Sequence, residues 1–175
     1  KFKIAWIGIL LEKSNFIKPV SCSGFKDINC IFIEEIIKNS NWVNSISLKV
    51  IKNGKIEVLN NINQSIQLNK WREYFTPKGL NSMAIVPLKI NNKVIGLFYL
   101  FSNEIDFFND DEVKLLKELA ENISFAIDSI DKENKRKEIE KALIESEKRF
   151  KLIFNNAATG IDLLDKEFNF VQLND

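Results

Sequence analysis

The chain has 175 residues, 45% of them hydrophobic and 28% charged, which suits one well-cored domain with an appendage better than two complete domains. Its 25 lysines and arginines stand against 24 aspartates and glutamates, so no global field draws in nucleic acid or an anionic membrane surface. The longest apolar runs, Ala5 to Leu11 and Ile95 to Phe101, fall well short of the roughly 20 residues of a membrane helix. No signal-peptide pattern opens the chain, and two cysteines, Cys22 and Cys30, suit a reducing cytoplasm better than a disulfide scaffold. A Lys at position 1 and a strand-like run ending at Asp175 suggest an excerpt of a longer protein.

Taken in order, Phe2 to Leu11 and Phe16 to Ser23 predict two strands around the polar turn Glu12-Lys13-Ser14-Asn15. After Gly24, the spacing of Ile28, Ile31, Ile33, Ile36 and Ile37 predicts a helix capped at Asp27. Lys49 to Val58 is ambiguous, because Asn53-Gly54 is a strong hairpin signal while Val43, Ile46, Val50 and Ile51 fit a helical face with Gly54 as its C-cap. A polar loop runs on to about Trp71. Ser82 to Ile90 and Val94 to Ser102 then predict a central hairpin across Asn91-Asn92-Lys93.

Asn109, with Glu112 three residues later and Asp110 and Asp111 between, marks a helix start. Leu116, Ala120, Ile123, Ile127 and Ile130 step by four and three. Ile139, Leu143, Ser146, Phe150 and Ile153 do so again, as in a coiled-coil seam. Between the two sets the phase breaks, across eight charged or polar residues from Asp131 to Glu138 that carry acid-before-base pairs such as Asp131 to Lys135. Gly160 to Leu164, a turn at Asp165-Lys166-Glu167 and Phe168 to Leu173 predict a further hairpin.

Chemistry is sparse. With no histidine, His-dependent triads and the usual haem ligand are excluded, and six scattered glycines form no phosphate-binding loop. Cys22 and Cys30 have no neighbouring Cys or His to complete a metal site and are expected as buried small hydrophobes. Asp110-Asp111-Glu112 is expected to cap rather than bind metal, and the lysines and arginine of 132–137 are interleaved with acids, as on a solvated helix. No catalytic and no metal-binding residue is expected. Trp42 and Trp71, in polar stretches, suggest a ligand pocket more than a core.

Ala5-Trp6-Ile7-Gly8, Pro19-Val20 to Gly24, Trp71-Arg72, Gly79-Leu80 through Pro87-Leu88, Val94-Ile95-Gly96-Leu97 and Phe108 to Glu112 together resemble a GAF domain over about residues 1–130. Glu145 to Phe150, with Ile161 to Asp165 and Val171 to Asn174, resembles the opening of a PAS domain. The resemblance implies an α+β fold, an antiparallel sheet of about six strands flanked by helices, and tips Lys49 to Val58 toward a short helix capped at Gly54 followed by a strand. It divides the chain into a GAF sensor domain at 1–130 lacking its N-terminal helix, a charged coiled-coil-like linker at 131–148, and the start of a truncated PAS domain at 149–175. It implies a non-catalytic, cytoplasmic input module that senses an unknown small molecule and pairs as a homodimer through its helices, ahead of a diguanylate cyclase, phosphodiesterase or histidine kinase module. Trp6, Phe25, Trp42, Trp71, Ser82 and Ala84 are then the pocket candidates, and Leu116, Ile123, Ile127, Ile130, Ile139 and Leu143 the dimer and connector positions. The stretch after Trp71 has no Cys or His, which argues against a bilin or a His-ligated haem. A ligand-free dimerisation scaffold is the rival reading, and free methionine sulfoxide reduction would need more cysteines.

Overall fold

The computed structural model describes residues 2–11, 16–24, 31, 33, 34, 37, 46–65, 68, 72–156 and 162–173. Alternating and continuous apolar runs give an antiparallel sheet of β1 (Phe2–Leu10), β2 (Ile17–Ser23), β3 (Glu57–Leu59), β4 (Ser82–Ile90) and β5 (Lys93–Ser102), in the order β2-β1-β5-β4-β3. About six strands were expected; the sheet has five among the described residues. The chain divides into two compact units, Lys1–Asp128 and Ser129–Asp175.

The central hairpin forms as expected, with Ile90 paired to Lys93. Its turn is tighter than the three residues anticipated: Asn91 and Asn92 alone make it, at φ of 49° and 64°. Two successive left-handed residues match the twist of the flanking strands, and Asn tolerates that conformation better than most side chains.

The ambiguous stretch resolves into α1 (Ile46–Asn53) followed by β3. Ile46 and Val50 are buried on one face of the helix. Gly54, at φ +60°, ends it by donating its N–H to the Val50 carbonyl at 2.8 Å. The apolar helical face outweighs the Asn-Gly hairpin signal because it has a core to enter. Of the helix expected after Asp27, Ile31, Ile33, Glu34 and Ile37 are helical, with Ile33 and Ile37 buried; its other positions lie outside the described residues. A one-turn helix, α2 (Arg72–Phe75), precedes β4.

Strand parity splits the core in two. Ile4, Trp6, Met83, Ile85, Leu97, Tyr99 and Phe101 face one way and meet Ile33, Ile37, Ile46 and Val50. Ala84, Val86, Leu88, Phe98 and Leu100 face the other way and meet Phe108, Leu116 and Ala120.

A long helix, α3 (Asp110–Asn155), is continuous for 46 residues and crosses the division between the units. Asn109 caps it, its Oδ1 accepting the Glu112 N–H at 3.0 Å. Within the second unit the linker residues are largely exposed and carry the expected Lys135–Asp131 pair at 2.7 Å and Lys137–Glu133 at 3.6 Å, joined by Arg136–Glu133 at 3.1 Å. Being solvated and screened, these pairs add little to stability. The terminal hairpin also forms, as β6 (Asp162–Leu164) and β7 (Phe170–Leu173). Asp165 holds its turn by accepting the N–H groups of Glu167 and Asn169, both at 2.9 Å, and the Asn169 side-chain amide at 3.0 Å. The Asn169 bonds chiefly hold the Asp165 carboxyl below its ordinary pKa. Among the described residues no helix is long and apolar enough to cross a membrane.

Candidate functional site

On the first face, the expected pocket residue Trp6 is buried and lies flat on Tyr99, ring centroids 3.8 Å apart and planes 5° from parallel. The strand register sets this pair directly opposite across β1 and β5. Beneath the stack, the Tyr99 hydroxyl and Ser47 Oγ of α1 share a buried hydrogen bond of 2.8 Å. Burial pushes the Tyr99 phenol well above its ordinary pKa, with the Ser47 bond partly opposing, so the ring stays neutral. The spacing of apolar residues could not pick out Tyr99 from its neighbours in Leu97 to Phe101.

Ser82 and Ala84 do not share that face with Trp6, which corrects the expected single interior. Ala84 packs on the α3 side with Val86 and Leu88, and Ser82 has the same strand parity. Both are fully buried, and Ser82 Oγ has no hydrogen-bond partner among the described residues. Phe25, Trp42 and Trp71 lie outside the described residues.

Along α3, Leu116 is 1% exposed, and Ile123 and Ile127 pack partly buried against the sheet. The first seam therefore serves the domain's own core at Leu116, with Ile123 and Ile127 packed partly against it. Ile130, Ile139 and Leu143 are exposed, at 62%, 70% and 58%. The exposed Leu115 and Phe125 are separated from the second seam by whole multiples of seven: Leu115 shares a heptad position with Leu143 and Phe150, and Phe125 shares one with Ile139 and Ile153. The apparent phase break disappears once the inward stripe is set aside. The heptad positions between are polar, at Glu118, Asn122, Ser129, Lys132 and Arg136.

A cleft of about 590 Å³ opens between β3, β4 and α3, with Ile56, Val58, Val86 and Val113 among its walls. At its side Ser124 Oγ accepts the backbone N–H of Lys89 at 2.9 Å and donates to the Ala120 carbonyl at 2.6 Å. Ser124 stands on the inward stripe of α3, four residues after Ala120, and that position was its one signal in the sequence.

Among the described residues no group of three or more His, Cys, Asp or Glu is placed to hold a metal. Cys22, half-buried on β2, is disulfide-bonded, where a buried thiol was expected. The chain's other cysteine, Cys30, lies outside the described residues.

A family profile described as "GAF domain" matches residues 2–128. A comparison with curated proteins finds no match. Among solved structures, the chain is similar to the GAF domain region of a Geobacter sulfurreducens PCA membrane protein, with 20% identity, a TM-score of 0.59, and coverage of 73% of this chain and 82% of that one. It is also similar to a domain of a two-component sensor histidine kinase protein from Sinorhizobium meliloti 1021, with 17% identity, a TM-score of 0.61, and coverage of 77% and 84%. A GAF domain/HD domain protein from Geobacter sulfurreducens matches at 16% identity and a TM-score of 0.57, with coverage of 75% and 83%. At these identities the likeness is one of fold.

Proposed function

The chain belongs to the GAF domain family, and from that membership we propose that it is the non-catalytic input module of a multidomain signalling protein. The observation that carries this reading is α3 itself. Its inward stripe, Leu116 and Ala120 foremost, is part of the sheet domain's core, and the same helix runs on beyond that domain through exposed, charged turns. A ligand that shifts the sheet against α3 therefore acts directly on the element leading to the next module.

In this reading two copies pair along the outer stripe of α3, through Leu115, Phe125, Ile139, Leu143, Phe150 and Ile153, with the polar middle of the stripe as the weak section. Residues 149–175 begin a PAS domain, and the controlled output is a histidine kinase or an enzyme of cyclic-di-GMP turnover. The neighbours described as a sensor histidine kinase domain and a GAF/HD protein support this class of context.

Native mass spectrometry of the purified chain tests the sensing role. A co-purifying small molecule, or a thermal shift with one member of a metabolite panel, is expected. Finding neither would favour the rival reading of a ligand-free dimerisation scaffold, which the closely packed Trp6–Tyr99–Ser47 group supports on its face of the sheet.

A further inference from the structure

The cleft between β3–β4 and α3 lies on the face of the sheet opposite Trp6 and apart from the outer stripe of the helix. Its volume, about 590 Å³, is that of an ordinary small-molecule site, and its walls are largely apolar, as such sites are. The charged residues around it are lopsided: Lys55, Lys89 and Lys117 against the one carboxylate of Glu121. None of these four takes part in an ion pair among the described residues.

The backbone places the lysines on both walls. Gly54, at φ +60°, has no Cβ, and Lys89 Cε and Nζ lie 3.0 Å from where one would stand. The Lys89 ammonium is thus laid over the α1–β3 junction, next in sequence to Lys55, while Lys117 rises from α3 opposite. The Ser124 bond to the Lys89 N–H fixes the end of β4 to the helix at the same place. Like charges around an apolar hollow repel one another and gain from an anion brought among them.

We propose that this cleft binds a small amphiphilic organic anion, an apolar body ending in a carboxylate. The body lies against Ile56, Val58 and Val86, and the carboxylate pairs with Lys55, Lys89 and Lys117. The inference stands on the cleft alone and does not rest on the sensing reading. Its consequence is that the occupant touches α3 between Val113 and Ser124, so binding braces the helix against β3 and β4.

The test uses the whole 175-residue chain with octanoate and its neutral counterpart octanamide, by calorimetry and by NMR amide shifts. Octanoate is expected to bind one-to-one, with shifts gathered at Ile56 to Val58 and Val113 to Ser124, and to weaken as salt is raised. Octanamide should bind about tenfold more weakly, as three solvent-facing ion pairs allow. The double variant Lys55→Gln/Lys89→Gln should lose about fivefold in octanoate affinity, with its unfolding temperature showing that the fold is intact. Equal affinity for acid and amide, no effect of the double variant, shifts gathered elsewhere, or no binding at millimolar octanoate would each overturn the proposal.

Discussion

Ser124 on α3 and Lys89 at the end of β4 are joined by a hydrogen bond of 2.9 Å from the Lys89 backbone N–H to the Ser124 hydroxyl. The register of β4 against β5 shifts between Leu88 and Lys89, with Ile95 of β5 as the extra residue, and the Lys89 N–H beside that shift takes its partner from outside the sheet. The helix supplies it. Ser124→Ala should cost about 1 to 2 kcal/mol in urea unfolding, because a part-buried donor loses its acceptor. Ser129→Ala, at an exposed position on the same helix, should stay within about 0.5 kcal/mol.

Tyr99→Phe should cost about 1 to 3 kcal/mol, since it leaves the fully buried Ser47 hydroxyl without its partner. The substitution should also change the alkaline limb of stability. Burial raises the folded-state pKa of Tyr99 above the ordinary 10.0, so above that pH the unfolded chain holds fewer protons than the folded one and stability falls as pH rises. Melting temperatures from about pH 8 to about pH 11 should fall more steeply for the native chain than for Tyr99→Phe. Parallel curves would show that the phenol does not contribute.

Asn60 ties the end of β3 to the segment before α3. Its amide donates to the Phe108 carbonyl at 3.1 Å, and its Oδ1 accepts the Phe108 N–H at 3.0 Å. Asn60→Ala should lose about 1 to 3 kcal/mol. Amide exchange should quicken first at Phe108 to Glu112, where the Asn109 cap depends on that anchorage.

Leu116 and Leu143 look alike in the heptad pattern and should behave oppositely. Leu116→Ala removes a buried side chain from the sheet domain's core and should cost about 2 to 4 kcal/mol. Leu143→Ala, at an exposed position, should leave the unfolding of the first unit within about 0.5 kcal/mol and instead weaken self-association in sedimentation. A native chain that is monomeric at every concentration would sink the proposed pairing.

Inserting or deleting one residue within 131–138 turns the downstream part of α3 by about 100° relative to the upstream part. In the full-length protein such a change should alter output activity. Constant output across a set of such changes would mark the segment as a passive tether.

The order of elements was legible because most have a local physical signal. Apolar runs bounded by turn residues mark β1, β2, β4 and β5, and Asn109 and Glu112 mark the start of α3, whereas Lys49 to Val58 is ambiguous between hairpin and helix and only the family resemblance tips it toward α1 and β3. The terminal hairpin was legible for the same reason. The family, too, could be recognised from the run Ser82 to Gly96 and the Phe108 to Glu112 helix start. Local signals also exclude: with no histidine and no clustered cysteines, the chain's chemistry is narrowed before any folding is considered.

What a segment faces is not a local property, and there only the tertiary structure decided. Trp6, Ser82 and Ala84 were grouped as one site, yet their strands meet in a register that sends Trp6 to one side of the sheet and Ala84 to the other. Leu116, Ile123 and Ile127 repeat like a dimer seam, but an apolar stripe at helical spacing does not say whether it meets a second chain or its own sheet, since burial against either is equally favourable. The lysine-rimmed cleft assembles residues 54–58, 86–89 and 113–124, which come together only when β3 pairs with β4 and α3 crosses behind them. Sequence spacing carries periodicity; the pairing of distant strands supplies direction.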